Sequence, residues 1–145
     1  MNLHASYHHV SVCVSDLERA RAFYGDRLGL KEIPRPAFDF PGVWYELDGN
    51  IALHIMVAKR PPARVAHQPF DVIYPHFALW TDDADLTCAR LRAEGIEVRD
   101  FVSTPTGLRQ LFVDDPDGNR VEFIGPTRAP RVRRMEGDEP TGERR

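Results

Sequence analysis

Two hydrophobic periodicities follow one another along the chain, and the succession occurs twice. Residues 7–14 (YHHVSVCV) alternate, with Val10, Val12 and Val14 on one side and His9, Ser11 and Cys13 on the other, the pattern of a β-strand. Ser15 and Asp16 are both helix N-cap types, and Ser15 with Glu18 fits a capping box. Leu17, Ala20, Phe23, Tyr24 and Leu28 then recur at helical spacing, which predicts a helix over 17–28 ended by Gly29. Residues 30–33 read as a short strand, and Pro34, Pro36 and Pro41 exclude regular structure from the stretch that follows. Strands are predicted at 43–47 and 51–57 around an Asp48-Gly49-Asn50 turn. In the second of these, Ala52, His54 and Met56 share a face.

A Pro-rich basic connector (KRPPARVAHQP, residues 59–69) divides the chain, and His67 within it reads as a solvated loop residue. The plan then repeats. A strand at 74–80 carries His76, Ala78 and Trp80 on one face, Thr81-Asp82-Asp83 caps a helix over 84–93, and Gly95 stops it. Strands are predicted at 96–98, 111–113 and 120–124, the last two joined by the turn PDGN. Residues 126–145 are charged, contain Pro and Gly and hold few apolar residues, which predicts a disordered tail.

An offset of 67 residues maps His9 onto His76, Val10 onto Phe77, Val12 onto Leu79, Asp16 onto Asp83 and Tyr24 onto Leu91. Asp48-Gly49-Asn50 recurs as Asp117-Gly118-Asn119, each feeding a strand with one ligand-capable residue, His54 and Glu122. The register slips there, since His54 stands five residues after its glycine and Glu122 four. The expected fold is α+β: tandem β-α-β-β-β modules at about 7–58 and 73–125, in one domain over 1–125, with a curved mixed sheet forming a cup.

Each half thus offers one polar residue from its first strand and one from its last, and a curled sheet collects them on its concave face. Three imidazoles and a carboxylate suit one divalent transition metal (Zn, Ni, Co, Mn or Fe(II)) rather than calcium or magnesium. A lone strand histidine such as His9 reads as a packed polar residue, and its repetition in His76 is what makes both candidate ligands. Glu122, between Val121 and Phe123, is a carboxylate that needs a partner if buried, and otherwise a surface glutamate. His54 reads either as a ligand or as a histidine lining the pocket. His8 points away from His9, and Asp115 and Asp117 read as turn-shaping residues. Phe38, Phe40, Trp44, Tyr45 and Trp80 are candidate pocket walls or core, and Arg109 meets either an anionic substrate or solvent.

Composition narrows the partners. The 145 residues are 42% hydrophobic and 28% charged, the balance of one folded domain. A net charge of −3 offers no basic excess for nucleic acid, and no apolar run reaches the ~20 residues of a membrane span. The first residues lack the character of a signal peptide, so a cytoplasmic protein is expected, with Cys13 and Cys88 as buried free thiols.

The stretches HHVSVCVSDLERARAFYGDRLGL, RPAFDFPGVWYELDGNIALHIM, PHFALWTDD and FVDDPDGNRVEFI, in that order, resemble the vicinal oxygen chelate superfamily of glyoxalases, bleomycin-resistance proteins and extradiol dioxygenases over about residues 7–125. The resemblance implies that modules pair into a cup, often across a homodimer, with metal ligands from both modules: His9, His54, His76 and Glu122. It implies a small-molecule substrate held through two neighbouring oxygens and a metal-dependent, glyoxalase-like lyase or isomerase, with Glu122 as ligand and catalytic base. Its alternatives are an Fe(II)-dependent extradiol dioxygenase using His9, His76 and Glu122, and a non-catalytic drug-binding protein of the bleomycin-resistance type. The chain departs from glyoxalase I proper, which resembles a site with glutamate where His54 stands. It departs from fosfomycin thiol transferases at Arg109-Gln110-Leu111-Phe112, where those enzymes carry hydroxyl and basic residues.

Overall fold

Each apolar alternation becomes a strand with one face turned to a shared core. The computed structural model describes residues 5–59 and 70–128. The first module comprises β1 (His9–Val14), α1 (Leu17–Arg21), β2 (Glu32–Ile33), β3 (Gly42–Asp48) and β4 (Ile51–Val57). The second comprises β5 (Phe77–Trp80), α2 (Ala84–Ala93), β6 (Arg99–Val102), β7 (Arg109–Asp114) and β8 (Arg120–Gly125). The strands form two four-stranded sheets, ordered β1-β4-β3-β2 and β5-β8-β7-β6. In each, the first strand lies parallel to the last and the other pairs are antiparallel. This is the expected α+β architecture of two β-α-β-β-β modules. Val14, Tyr45, Leu53, Ile55, Leu111, Val113 and Val121 form the core with Phe23, Tyr24, Cys88 and Leu91 from the helical segments.

The first helix differs from the sequence expectation at both ends. Asp16, not Ser15, is the N-cap, accepting from Arg19 N at 2.8 Å. Ser15 turns instead to Asp117, donating from its amide (3.0 Å) and hydroxyl (2.7 Å). Glu18 lies outside the cap, 3.9 Å from Arg21. The α-helix also stops at Arg21 and continues through Ala22–Arg27 as a wider π-helical turn. There Leu28 N bonds to Phe23 O at 2.9 Å, five residues back. The wider turn allows consecutive Phe23 and Tyr24 both to be buried. Gly29 follows with φ 72° and ends the segment as expected.

The second module differs in three strands, of which β7 is extended at both ends to Arg109–Asp114. β5 begins at Phe77 rather than residue 74, so His76 immediately precedes the strand. The strand expected at 96–98 does not form; Ile96 is buried and its amide closes α2 on Leu91 O at 3.0 Å, and β6 runs over Arg99–Val102 instead. α2 itself falls where expected, capped by Asp83, which accepts from Leu86 N. His67 and the connector around it lie outside the described residues from 60 to 69, and the tail expectation from 129 onward does too. Among the described residues no helix is long and apolar enough to cross a membrane.

The turn 115–119 shapes its own backbone and also joins the modules. Asp115 Oδ1 accepts from the amides of Asp117 (2.8 Å) and Asn119 (2.7 Å), while Oδ2 accepts from the Tyr24 hydroxyl at 2.9 Å. Asn119 Nδ2 donates to Cys13 O at 2.9 Å, and Arg27 donates to Glu94 O at 2.7 Å. Burial pushes the Tyr24 phenol well above its usual range, and the Asp115 charge adds to this, so the hydroxyl is a fixed donor. Burial also raises Asp115, against the hydrogen bonds that favour its charged form.

Candidate metal centre in two half-sites

Strand pairing resolves the register slip seen in the repeat. Ser11 lies opposite His54 in the first parallel ladder, and Ala78 opposite Glu122 in the second. The 67-residue offset carries Ser11 onto Ala78, so His54 and Glu122 occupy equivalent positions. Their unequal spacing from glycine is absorbed in the turns. Asp48 pairs with Ile51 beside a bulge, whereas Asp114 pairs with Arg120 across a longer loop. The equivalence extends to the strand behind, where Trp44 faces His54 and Phe112 faces Glu122.

In the first module His9 and His54 stack with ring centroids 4.2 Å apart, and Trp44 stacks on the other face of His54 at 3.9 Å. Partial burial, together with His9, His8 and Arg35, lowers the His54 pKa, so its imidazole is neutral and can offer a lone pair near neutral pH. His8 does not simply point away: its Nδ1 lies 2.8 Å from His9 Nδ1.

In the second module His76 Nε2 lies 2.9 Å from Glu122 Oε2, and Gln110 Nε2 donates to Glu122 Oε1 at 2.7 Å. Glu122 is only 4% exposed, so the buried reading of this carboxylate is the one realised. His76 Nδ1 sits 2.8 Å from Tyr74 O. A carbonyl only accepts, so that nitrogen carries the proton and Nε2 is turned toward the carboxylate. A histidine whose far nitrogen is fixed by a backbone carbonyl, beside a buried carboxylate, is the donor arrangement a transition metal uses.

The structure therefore groups the four candidates as two pairs, one per module. Among the described residues of a single chain, no three His, Cys, Asp or Glu side chains gather closely enough to hold an ion. Each pair adjoins a terminal strand of its sheet, β1 or β5.

Arg109 meets neither substrate nor solvent. It is 4% exposed, with its guanidinium bound to Asp100 at 2.6 and 2.8 Å and to Asp85. The Asp100 hydrogen bonds raise its pKa and spend its charge on fastening α2 to β6 and β7. Tyr45 belongs to the core, while Trp44, Phe38 and Phe40 form a wall beside His54. Trp80 is 62% exposed, with its indole donating to Asp82. Gln110 was not singled out and lies outside the strand expected at 111–113; alternation carried back from Phe112 would have placed it on the face of Glu122. Arg99 and Arg120, which share Asp114 and both lie over Phe70, had no comparable signal.

Residues 6–123 match the sequence profile of the Glyoxalase/Bleomycin resistance protein/Dioxygenase superfamily. A lactoylglutathione lyase of Haemophilus influenzae is 32% identical over 123 residues, spanning 80% of this chain and 89% of that protein. A crystal structure assigned to the glyoxalase family, from Bacillus anthracis, superimposes with a TM-score of 0.71 at 32% identity, covering 88% of this chain and 99% of that one. The fosfomycin resistance protein FosX of Listeria monocytogenes shares the fold alone, with a TM-score of 0.65 at 20% identity over 90% of this chain and all of its own. Profile, relatives and repeated topology agree that the chain belongs to the glyoxalase/bleomycin resistance protein/dioxygenase superfamily.

Proposed function

We propose that the protein is a metal-dependent, glyoxalase-like lyase or isomerase, and that two copies complete its metal centre. His9 and His54 of one copy would join His76 and Glu122 of the other around one divalent transition metal, giving a homodimer with two equivalent centres. The observation that carries this reading is the His76–Glu122 pair, with Nδ1 donated to Tyr74 O and Nε2 directed at a buried carboxylate. The terminal positions of β1 and β5 leave an edge beside each pair for the other copy to approach. The lactoylglutathione lyases among the relatives favour lyase or isomerase chemistry.

A bound metal would supply Lewis acidity to two adjacent oxygens of a small substrate, lowering the pKa of the neighbouring C–H or O–H. The chain's own residues do the rest. Gln110 holds Glu122 Oε1 and His76 meets Oε2, so Glu122 would take that proton and return it to the neighbouring atom only on releasing one of these contacts. Trp44 and Phe112, on the neighbouring strands opposite His54 and Glu122, would give the reacting face an apolar flank. The two free cysteines fit a reducing cytoplasm.

The test is metal content of the purified protein beside His9→Ala and Glu122→Ala. About one transition metal per chain, lost in both variants, is the expected result. A wild type that neither carries nor takes up any metal overturns the reading and leaves a drug-binding cup as its successor. Iron with oxygen uptake on catechols would move the reaction to ring cleavage.

A further inference from the structure

The wall beside His54 ends in a cation. Arg35 lies in the Pro-rich segment between β2 and β3, its guanidinium 4.8 Å from the Phe38 ring and 4.9 Å from that of Phe40. Phe38 is 6.1 Å from Trp44, and Trp44 stacks on His54. A run of aromatic rings, with Phe38 tilted 48° to Trp44, therefore leads from the first half-site to Arg35. The guanidinium is held from several sides: Nη2 donates to Phe40 O at 2.8 Å, and a Cβ on Gly42 would come within 3.2 Å of Nε.

What the run lacks is an anion. Nε of Arg35 is buried without a hydrogen-bond partner, and among the described residues no carboxylate pairs with this side chain. Nε packs against Gly42 and is closed to a ligand, so the unpaired charge can be met only at the outer Nη nitrogens. The other arginines near the sheets are spent: Arg109 on Asp100 and Asp85, Arg99 and Arg120 on Asp114. Phe38 and Phe40 stack on each other 5.3 Å apart, so the guanidinium sits beside the pair, with Nη2 tied to Phe40 O and Nη1 left to donate to a carboxylate. Pro34, Pro36 and Pro41 limit the freedom of the segment, so little order has to be imposed on binding.

We propose that Arg35 anchors a carboxylate on the substrate, which is accordingly a small acid with a planar, unsaturated or aromatic body lying along Trp44 and Phe38. This rests on the metal-centre reading for where the other end of the substrate sits. The probes are 3,4-dihydroxybenzoate and 3,4-dihydroxycinnamate, which present two adjacent oxygens at one end and a carboxylate at two distances from them, each against its carboxamide. Binding is measured calorimetrically to zinc-loaded wild type, Arg35→Met and Arg35→Lys, with zinc content measured in parallel.

In the wild type at least one acid should bind about tenfold tighter than its amide. Arg35→Met should bring the two within about twofold, Arg35→Lys should keep part of the preference, and zinc content should be equal in all three. Should Arg35→Met fail to fold, Arg35→Gln takes its place. If zinc does not load, the metal-centre reading has failed, and benzoate and cinnamate against their amides on the unloaded protein still test Arg35. No preference for either acid in either form, or a preference that survives Arg35→Met, overturns the proposal.

Discussion

Glu122 illustrates what a single position owes to its neighbours. Its carboxylate is kept inside by a histidine on one oxygen and Gln110 on the other. Gln110 touches no ion in the proposed centre, yet it fixes which oxygen of Glu122 faces His76. Replacing Gln110 with leucine preserves bulk and removes the hydrogen bond. The expected result is a roughly 10- to 100-fold loss in metal affinity, read by competition with a chelator, with the fold intact by circular dichroism. An unchanged affinity would mean that the hydrogen bond merely satisfies a buried carboxylate. Arg109 teaches the opposite lesson. An arginine on a strand of alternating pattern looks available in sequence, and only its two carboxylate partners from α2 and β6 reveal a structural tie.

At the scale of elements, capping chemistry separates two readings that sequence left side by side. Asp16 accepts the Arg19 amide, and Ser15 is committed to the other module. Asp16→Ala should lower unfolding stability by about 1 kcal/mol, whereas Glu18→Ala, outside the cap, should change it by no more than about 0.5 kcal/mol. Comparable losses from both in chemical denaturation would restore the capping box. Strands β3, β4 and β8 and helix α2 were legible almost to the residue, and β7 only in its middle three residues, because a half-buried strand or a capped helix writes its period locally. The π-helical turn was not legible: it coincides with two consecutive buried aromatic rings, of which Tyr24 bonds to Asp115 in the other module. β6 was expected at 96–98, three residues early and without overlap, because Ile96 satisfies hydrophobic alternation while its amide closes a helix. The four candidate ligands could be picked out by repetition, but their division into two pairs depends on how the modules are arranged in space, which no local pattern records.

The whole molecule sets the condition under which the proposed centre exists. If each centre takes His9 and His54 from one copy and His76 and Glu122 from the other, then His9→Ala and Glu122→Ala damage different halves. A heterodimer of the two variants holds one doubly damaged centre and one intact. Equal mixing with subunit exchange should therefore restore about a quarter of the wild-type metal binding from two inactive preparations. Recovery indistinguishable from zero, with exchange verified by mass spectrometry, would place all four residues in one chain's centre or in none.

The turn at 115–119 has a bearing on how the protein is made. Ser15 finds its partner 102 positions further along and Tyr24 finds its own 91 positions further along. A ribosome synthesising this chain releases the first module long before the residues that tie down its helical segment have emerged. Until then Ser15 and Tyr24 have only water to bond, and the aromatic pair in the π-helical turn stays partly uncovered. The nascent first half is therefore the species most exposed to chaperones and proteases, and its completion waits on the last strands to leave the tunnel.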